Sequence, residues 1–307
     1  MRHPFQVERF TFSSPSDGLT LQAVAYVPEQ PQGVVQLVHG MCEYIERYDH
    51  VLTFLAENGY IACGYDQRGH GKSAPTKELL GYFGKDTEGE AIVEDAAFFT
   101  GIVKERYPNL PVCLYGHSMG SMVSLCYLQK HDLQIDKLIL SGTPCRNIVA
   151  GAGVLLAKAV KLLKGEMHRS KTLKKLSIGA YQKPFLEEGK CAWLTRDKEV
   201  ASKYEQNELC RFTFTVNGFI NLFSLLNNCY DKQLFAPKKF GLPILFVAGS
   251  DDPVIGDKER WEESQSFLRA LGYQVVEGNL YQGMRHEPHN EIGKEEVLDD
   301  ILAFLQK

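Results

Sequence analysis

The sequence predicts an α/β domain built on a mostly parallel sheet, and two observations support this prediction. Short apolar runs alternate with segments of helical spacing along most of the 307-residue chain. Such alternation is typical of strand–helix–strand units, in which helices cover both faces of a parallel sheet. The alternation stops after Pro144 and resumes near residue 243, and the spacing of apolar residues between these points predicts helices. The fold should therefore carry a helical insertion.

The predicted strands number eight. FQVERFTF and LTLQAVAYVP alternate apolar and polar residues around the turn SPSDG, which indicates an antiparallel hairpin. Buried parallel strands are predicted by six further runs: GVVQLVHG, YIACGYD, PVCLYG, DKLILSGT, PILFVAGSDD and YQVVEGNLYQG. Helices are predicted between and after them in YDHVLTFLAENGY, EGEAIVEDAAFFTGIVKERYPN, MGSMVSLCYLQKH, WEESQSFLRALG and KEEVLDDILAFLQ.

We expect one core domain, formed by residues 1–145 and 232–307, and a helical cap at residues 146–231. The cap holds more basic than acidic residues, whereas the whole chain has a net charge of -4. Lysines surround an apolar helical face in GAGVLLAKAVKLLKGE, which is formed by Leu155, Leu156, Ala159, Val160 and Leu163. Such a helix either packs its apolar face on the core or lies on an anionic membrane or micelle surface.

Composition and charge argue against several classes of function. The pI near 6.2 gives no global basic field for nucleic acid. The sequence shows no secretory signal and no apolar run of the roughly 18 residues that span a bilayer. Eight scattered cysteines without a C-x-x-C pair argue against zinc and are typical of a reducing cytosol. We expect a cytoplasmic protein without metal or organic cofactor, and its oligomeric state stays open.

The stretch YGHSMGS places Ser118 in the spacing G-x-S-x-G, between a predicted strand and a predicted helix. A serine at the tip of a tight strand-to-helix turn is a nucleophile elbow, in which glycines relieve crowding. The helix N-terminus also favours negative charge that develops near Ser118. A rival phosphate-loop motif ending in GKS at 71–73 lacks its first glycine. Ser118 is therefore the candidate nucleophile.

A serine nucleophile needs a general base at the carboxyl edge of the sheet. His286 and His289 both follow the last predicted strand, and His286 lies nearer to the strand end. We favour His286, and His289 would then be a solvated loop residue. Asp251 and Asp252 both follow the strand PILFVAG, and spacing alone does not choose between them. The chain order Ser, Asp, His agrees with the nucleophile-elbow architecture.

Two backbone N–H groups should bind the oxyanion of the tetrahedral intermediate. Met119 follows the nucleophile and supplies one of them. Met41 follows the earlier strand in LVHGMCE and supplies the other. Methionine is soft enough to accommodate alkyl chains, so both side chains would also shape an acyl pocket.

These stretches resemble the α/β-hydrolase family, and more narrowly its monoacylglycerol lipase and lysophospholipase-type serine hydrolases, which are grouped with serine aminopeptidase-like enzymes. HGMCEYIERY resembles the oxyanion segment of this group, DQRGHGKS its glycine loop, GHSMGS its elbow and RHEPHNE its histidine loop. In relatives the aspartate just before Pro-Val is the acid, which favours Asp252. Cys42 departs from the pattern, because glycine is commoner there. It would either narrow the site or pack as a buried residue.

The resemblance implies acyl transfer by Ser118, His286 and Asp252. The expected substrate is an ester such as a monoacylglycerol, a lysophospholipid or a short acyl ester. A thioesterase is a close variant. A serine aminopeptidase is an alternative that would need cap carboxylates, such as Glu187 and Glu188, to bind the substrate amine. A non-catalytic scaffold is a remote alternative, because such proteins lose the nucleophile or the base.

Overall fold

Eight strands form one sheet in the computed structural model, which describes residues 4–85, 87–147 and 149–307. The strands are β1 (Phe5–Ser13), β2 (Thr20–Pro28), β3 (Gly33–Val38), β4 (Tyr60–Tyr65), β5 (Val112–His117), β6 (Lys137–Ser141), β7 (Ile244–Gly249) and β8 (Val276–Tyr281). Their spatial order is β1-β2-β4-β3-β5-β6-β7-β8. β2 pairs antiparallel with β1 and β4, and the pairs from β4 to β8 are parallel. The predicted mostly parallel eight-stranded sheet is confirmed.

The helices of the described residues follow the predicted alternation. They are α1 (Asp49–Glu57), α2 (Glu90–Arg106), α3 (Met119–His131), α4 (Ala150–Lys164), α5 (Lys171–Ile178), α6 (Lys198–Gln206), α7 (Val216–Asn228), α8 (Lys258–Ala270) and α9 (Lys294–Gln306). α8 begins three residues earlier than the apolar pattern predicts, because the Asp257 side chain accepts a hydrogen bond from the amide of Arg260 and caps the helix. None of these helices is long and apolar enough to cross a membrane.

Helices cover both faces of the sheet, and β3 shows how one strand serves two core layers. Val34 and Val38 pack in the layer that contains α2, α3 and α8. Val35 and Leu37 point to the opposite layer, which contains α1 and α9. β3, β4, β5 and β7 are buried at every position, as expected for parallel strands between two helical layers.

The stretch between β6 and β7 contains α4 to α7 and no strand in its described residues. α7 is buried from Val216 to Leu225 and packs on α3, and α4 lies against α7. The remaining helices are more exposed, with Leu173 the buried residue of α5. The helical character of this stretch agrees with the prediction. The division into a core and a cap remains our interpretation, and its residues 1–3, 86 and 148 lie outside the described residues.

Candidate active site

The carboxyl edge of the sheet brings three of the predicted residues together. Ser118 Oγ lies 2.8 Å from His286 Nε2. His286 Nδ1 lies 2.9 Å and 3.1 Å from the two carboxylate oxygens of Asp252. His286 and Asp252 are both buried. A serine, a histidine and a carboxylate in this hydrogen-bonded chain are the arrangement by which a base activates a serine nucleophile.

Ser118 occupies a strained turn between β5 and α3. Its φ is +52°, in a region that L residues other than glycine rarely adopt, at a cost of about 1–3 kcal/mol. Its N–H donates a 2.8 Å hydrogen bond to the carbonyl of Ser141, which anchors the turn on β6. A β-carbon on Gly116 would lie 2.5 Å from the carbonyl oxygen of Gly120, and one on Gly120 would collide with the carbonyl of Val38. The turn therefore requires both glycines of the motif.

The two adjacent aspartates after β7 point in different directions. Asp252 faces His286, and its Oδ1 also accepts a 2.8 Å hydrogen bond from the amide of Val254. Asp251 is exposed, and its carboxylate accepts a hydrogen bond from the hydroxyl of Ser250. The geometry thus brings Asp252 and not Asp251 to the histidine.

Asp252 controls the protonation of His286. Burial by itself disfavours the imidazolium, but attraction to the Asp252 carboxylate outweighs it and raises the pKa of His286 above its ordinary value of 6.5. The protonated form, which arises when the imidazole accepts the serine proton, is therefore stabilised. Stabilising the protonated histidine is the role of the acidic residue in a hydrogen-bonded serine, histidine and carboxylate.

His289 is not the solvated residue that the sequence predicts. It is fully buried, and its ring stacks on Tyr48 with centroids 4.8 Å apart and meets the ring of His117 edge-on. Neither ring nitrogen has a hydrogen-bond partner in the described residues, and burial lowers the pKa of His289 to about 3. The prediction is wrong because a turn of 3-10 helix at Pro288–Asn290 buries this loop instead of exposing it.

Two other buried histidines near the site bond to neighbouring segments. His39 Nε2 accepts a 3.0 Å hydrogen bond from the amide of Gln67. His117 Nδ1 lies 3.2 Å from Ser141 Oγ, and its ring lies 5.0 Å from the ring of His286 between centroids. Burial lowers the pKa of both histidines well below the ordinary value.

The two predicted oxyanion donors lie on segments that adjoin the nucleophile. Met119 begins α3 directly after Ser118. Met41 follows Gly40, where a β-carbon would lie 3.0 Å from the β-carbon of Ser118. Neither methionine amide has an acceptor among the described residues. Both N–H groups are thus available to a ligand, and both side chains line the cavity beside Ser118.

Cys42 occupies a backbone position that suits glycine. Its φ is +57°, in a region that glycine adopts more readily than other residues. Its N–H donates a 3.2 Å hydrogen bond to His70 Nε2, and its thiol donates to the carbonyl of Phe212. Cys42 is buried, so its packing as a buried residue is confirmed. It also lines the cavity, and its narrowing of the site stays a prediction.

A buried charged cluster, not predicted from the sequence, joins the oxyanion segment to the histidine loop. Arg47 contacts Glu43 at 2.6 Å and forms two hydrogen bonds of 2.8 and 2.9 Å with Glu287. Glu43 accepts the N–H of Gly40 and the hydroxyl of Tyr48. Although burial opposes ionisation, Arg47 lowers the pKa of Glu287 to about 2, whereas burial raises that of Glu43. The spacing of four residues between Glu43 and Arg47 suggests their contact, but no local pattern suggests the contact with Glu287, which is 240 positions from Arg47.

A cavity of about 780 Å³ opens onto Ser118 and His286. Its walls come largely from the stretch between β6 and β7. The apolar part of the lining includes Met122, Leu156, Leu176, Ile178, Leu222, Phe223 and Leu226. Within the described ranges, no group of histidine, cysteine and acidic residues is arranged to hold a metal ion.

The fold and this site define a serine hydrolase of the α/β-hydrolase class. Residues 29–293 match the family described as "Serine aminopeptidase, S33", and the chain belongs to this family.

Relatives of this chain include enzymes named for lipid esters. A monoacylglycerol lipase of Mycolicibacterium smegmatis is 27% identical over 278 residues, which cover 90% of this chain and 88% of the relative. A monoglyceride lipase of Rattus norvegicus is 25% identical, with coverage of 89% and 80%. Among solved structures, a thermostable carboxyl esterase from Bacillus coagulans in complex with glycerol has a TM-score of 0.89 and 25% identity, and 99% of each chain is covered.

Proposed function

We propose that this protein cleaves carboxylic esters of lipids, monoacylglycerols and lysophospholipids among them, through an acyl-enzyme on Ser118. The observation that carries the proposal is the hydrogen-bonded chain from Ser118 through His286 to Asp252. The names of the relatives, which include monoacylglycerol lipase and carboxyl esterase, support an ester as the substrate.

The chemistry proceeds in two halves. Ser118 attacks the ester carbonyl while His286 Nε2 removes the hydroxyl proton, and the amides of Met41 and Met119 stabilise the oxyanion. The intermediate collapses, and His286 returns the proton to the leaving alcohol. Water, activated by the same imidazole, then attacks the acyl-enzyme and releases the acid. Asp252 keeps the imidazole oriented and stabilises its charged form throughout.

The cavity supports an alkyl substrate. Its lining is mostly apolar and includes leucines and a phenylalanine from α4, α5 and α7. An acyl chain in this space would remove apolar surface from water, which is the main favourable term for such a ligand. The two methionines beside Ser118 add adaptable apolar surface at the reacting carbon.

The aminopeptidase alternative receives little support from the two glutamates on which it depends. Arg285 forms hydrogen bonds of 2.8 and 2.9 Å with the carboxylate of Glu188 and neutralises it. Glu187 is exposed and, like Glu188, is not among the residues that line the cavity. Neither carboxylate is therefore placed to bind a substrate amine.

We also propose that α4 contacts a membrane or micelle surface. The predicted apolar face does not pack on the core as a whole: Val160 packs there, but Leu155 is 71% exposed and Leu163 is 84% exposed. Leu162 beside them is 88% exposed. The helix turns Ala150 and Ala157 inward, and α7 approaches it closely, since a β-carbon on Gly153 would lie 3.2 Å from the ring of Phe223. An exposed leucine face flanked by lysines suits an anionic lipid surface. The eight free cysteines are consistent with the cytosolic side of a membrane, where thiols stay reduced.

Labelling with a fluorophosphonate, followed by a series of p-nitrophenyl and monoacylglycerol esters of increasing chain length, tests the reaction and its substrate. The wild type should be labelled at Ser118, and Ser118→Ala should lose the label and at least about 10³-fold in kcat. Ser124→Ala is the matched control, because this hydroxyl bonds to the Gly120 carbonyl within α3. Undiminished turnover by Ser118→Ala would exclude the proposed mechanism.

A further inference from the structure

An aromatic residue from the stretch between β6 and β7 covers the imidazole at the centre of the site. The indole of Trp193 stacks on the ring of His286, with centroids 5.0 Å apart and planes inclined by 28°. Trp193 also lines the cavity and contacts the ring of Tyr181. Its indole therefore adjoins both the substrate space and the imidazole.

The main chain holds Trp193 in this position. The amide of His286 donates to the carbonyl of Trp193 at 3.4 Å, and the amide of Glu287 donates to that of Leu194 at 2.8 Å. The two segments thus pair side by side. The stacking geometry follows from backbone contacts and does not depend on the side chains alone.

Side chains anchor both ends of the segment 185–196 on the histidine loop. At one end, Arg285 donates to the carbonyl of Ala192 at 2.7 Å, pairs with Glu188 and lies over the ring of Phe185 at 4.2 Å. At the other end, a second set of hydrogen bonds is made between Arg196 and Glu291 and between Thr195 and the carbonyl of Asn290. The segment is therefore fixed to the loop that carries the base.

We propose that Trp193 is a positioning residue for the reaction: its indole seats the His286 imidazole and stabilises the imidazolium formed as Ser118 attacks. An aromatic face attracts a cation stacked upon it, and the attraction strengthens where water is excluded. The proposal rests on the proposed function, since His286 must act as the base there. It also couples the segment 185–196 to the reacting groups, because displacement of this segment would withdraw the indole.

Other groups face the imidazole and remain in place when Trp193 is changed. In the described part of the chain, Ser118, Asp252 and His117 contact the imidazole, and Glu43, Glu287 and His289 act on it electrostatically. Arg47 pairs with the two glutamates, and Tyr181 interacts with Trp193 and with Asp252. Asp252 supplies the main attraction for the charged imidazole. A substitution that keeps an apolar cover while removing the π face isolates the contribution of the indole.

Trp193→Leu and Trp193→Phe provide that comparison. Trp193→Leu should lower kcat about tenfold and move the acidic limb of the kcat/KM profile at least about half a pH unit lower, since the imidazolium loses a stabilising partner. The kcat and the acidic limb of Trp193→Phe should lie between those of Trp193→Leu and the wild type. This second variant keeps the experiment decisive if Trp193→Leu folds poorly. Leu176→Ala, which alters the cavity lining at another point, should change KM and leave the limb in place.

An NMR titration of His286 in the free wild type and Trp193 variants, assigned against His286→Gln, gives a readout independent of turnover. A lower pKa of His286 in Trp193→Leu is the expected result. An unchanged or raised pKa, or an equal shift in Leu176→Ala, would overturn the role of Trp193. Failure of the proposed function looks different: Ser118→Ala would keep its ester hydrolysis, while the effect of Trp193 on the His286 titration would persist.

Discussion

At the carboxyl edge of the sheet, Ser118, His286 and Asp252 are held by short hydrogen bonds among mostly buried residues. In the stretch between β6 and β7, α4 leaves several leucines in water and buries only alanines. The first region is largely buried and fixes a few atoms, as chemistry on a carbonyl requires. The second presents apolar surface outward, as contact with lipid requires. Trp193 belongs to the second region in sequence and to the first in space.

The sharpest test of the buried region is Asp252→Asn against Asp251→Asn. We expect Asp252→Asn to lower kcat about 10³–10⁴-fold, because the imidazole loses its orienting carboxylate and its charged form loses an ion-pair partner. The exposed Asp251 makes no contact with His286, so its variant should retain ordinary turnover. Steady-state kinetics on a p-nitrophenyl ester measures both.

The same pair of variants has a pH signature. The raised pKa of His286 means that the wild type should lose activity as pH falls through a value above 6.5, where the imidazole becomes protonated. Without the Asp252 carboxylate the imidazole pKa falls, so the acidic limb of Asp252→Asn should move to lower pH. An unmoved limb, or equal losses in the two asparagine variants, would contradict the assignment of Asp252.

A second test asks whether the two loops of the site depend on Arg47. Arg47→Ala leaves Glu43 and Glu287 as buried carboxylates without their cation, and we expect it to lower the free energy of unfolding by about 3–5 kcal/mol. Arg9→Ala is the control, because Arg9 pairs with Glu46 at the surface and should cost under about 1 kcal/mol. Denaturant unfolding at neutral pH distinguishes them. Similar losses in the two variants would show that the cluster does not stabilise the fold.

The smallest expected effect concerns the exposed face of α4. The double variant Leu162→Ser and Leu163→Ser removes two leucines that do not line the cavity, and we expect binding to anionic phospholipid vesicles to weaken at least about tenfold. Hydrolysis of a water-soluble short ester should not change. Leu133→Ser, at an exposed leucine outside the stretch between β6 and β7, is the control for co-sedimentation. Equal vesicle binding by the double variant and the wild type would rule out α4 as the contact.

Local patterns in the sequence predicted most of the fold and the centre of the site. Alternating apolar runs and helical spacing predicted the eight strands and the helical stretch between β6 and β7, because burial between two layers requires apolar residues at regular positions. The elbow at Ser118 could be predicted because the spacing G-x-S-x-G is local, although only Gly116 is crowded by its own turn, whereas Gly120 is crowded by the distant carbonyl of Val38. His286 could be predicted as the candidate base because it follows a strand end, and all parallel strands end at one edge of the sheet.

Tertiary structure alone decided the features that depend on partners distant in the chain. Three features depend on residues that no local pattern relates: the burial of His289, the contact between Arg47 and Glu287, and the stacking of Trp193 on His286. The outward face of α4 was also undecided, because an amphipathic pattern identifies an apolar side without specifying what covers it. Local sequence determines which groups a segment carries, whereas long-range packing determines which of them meet.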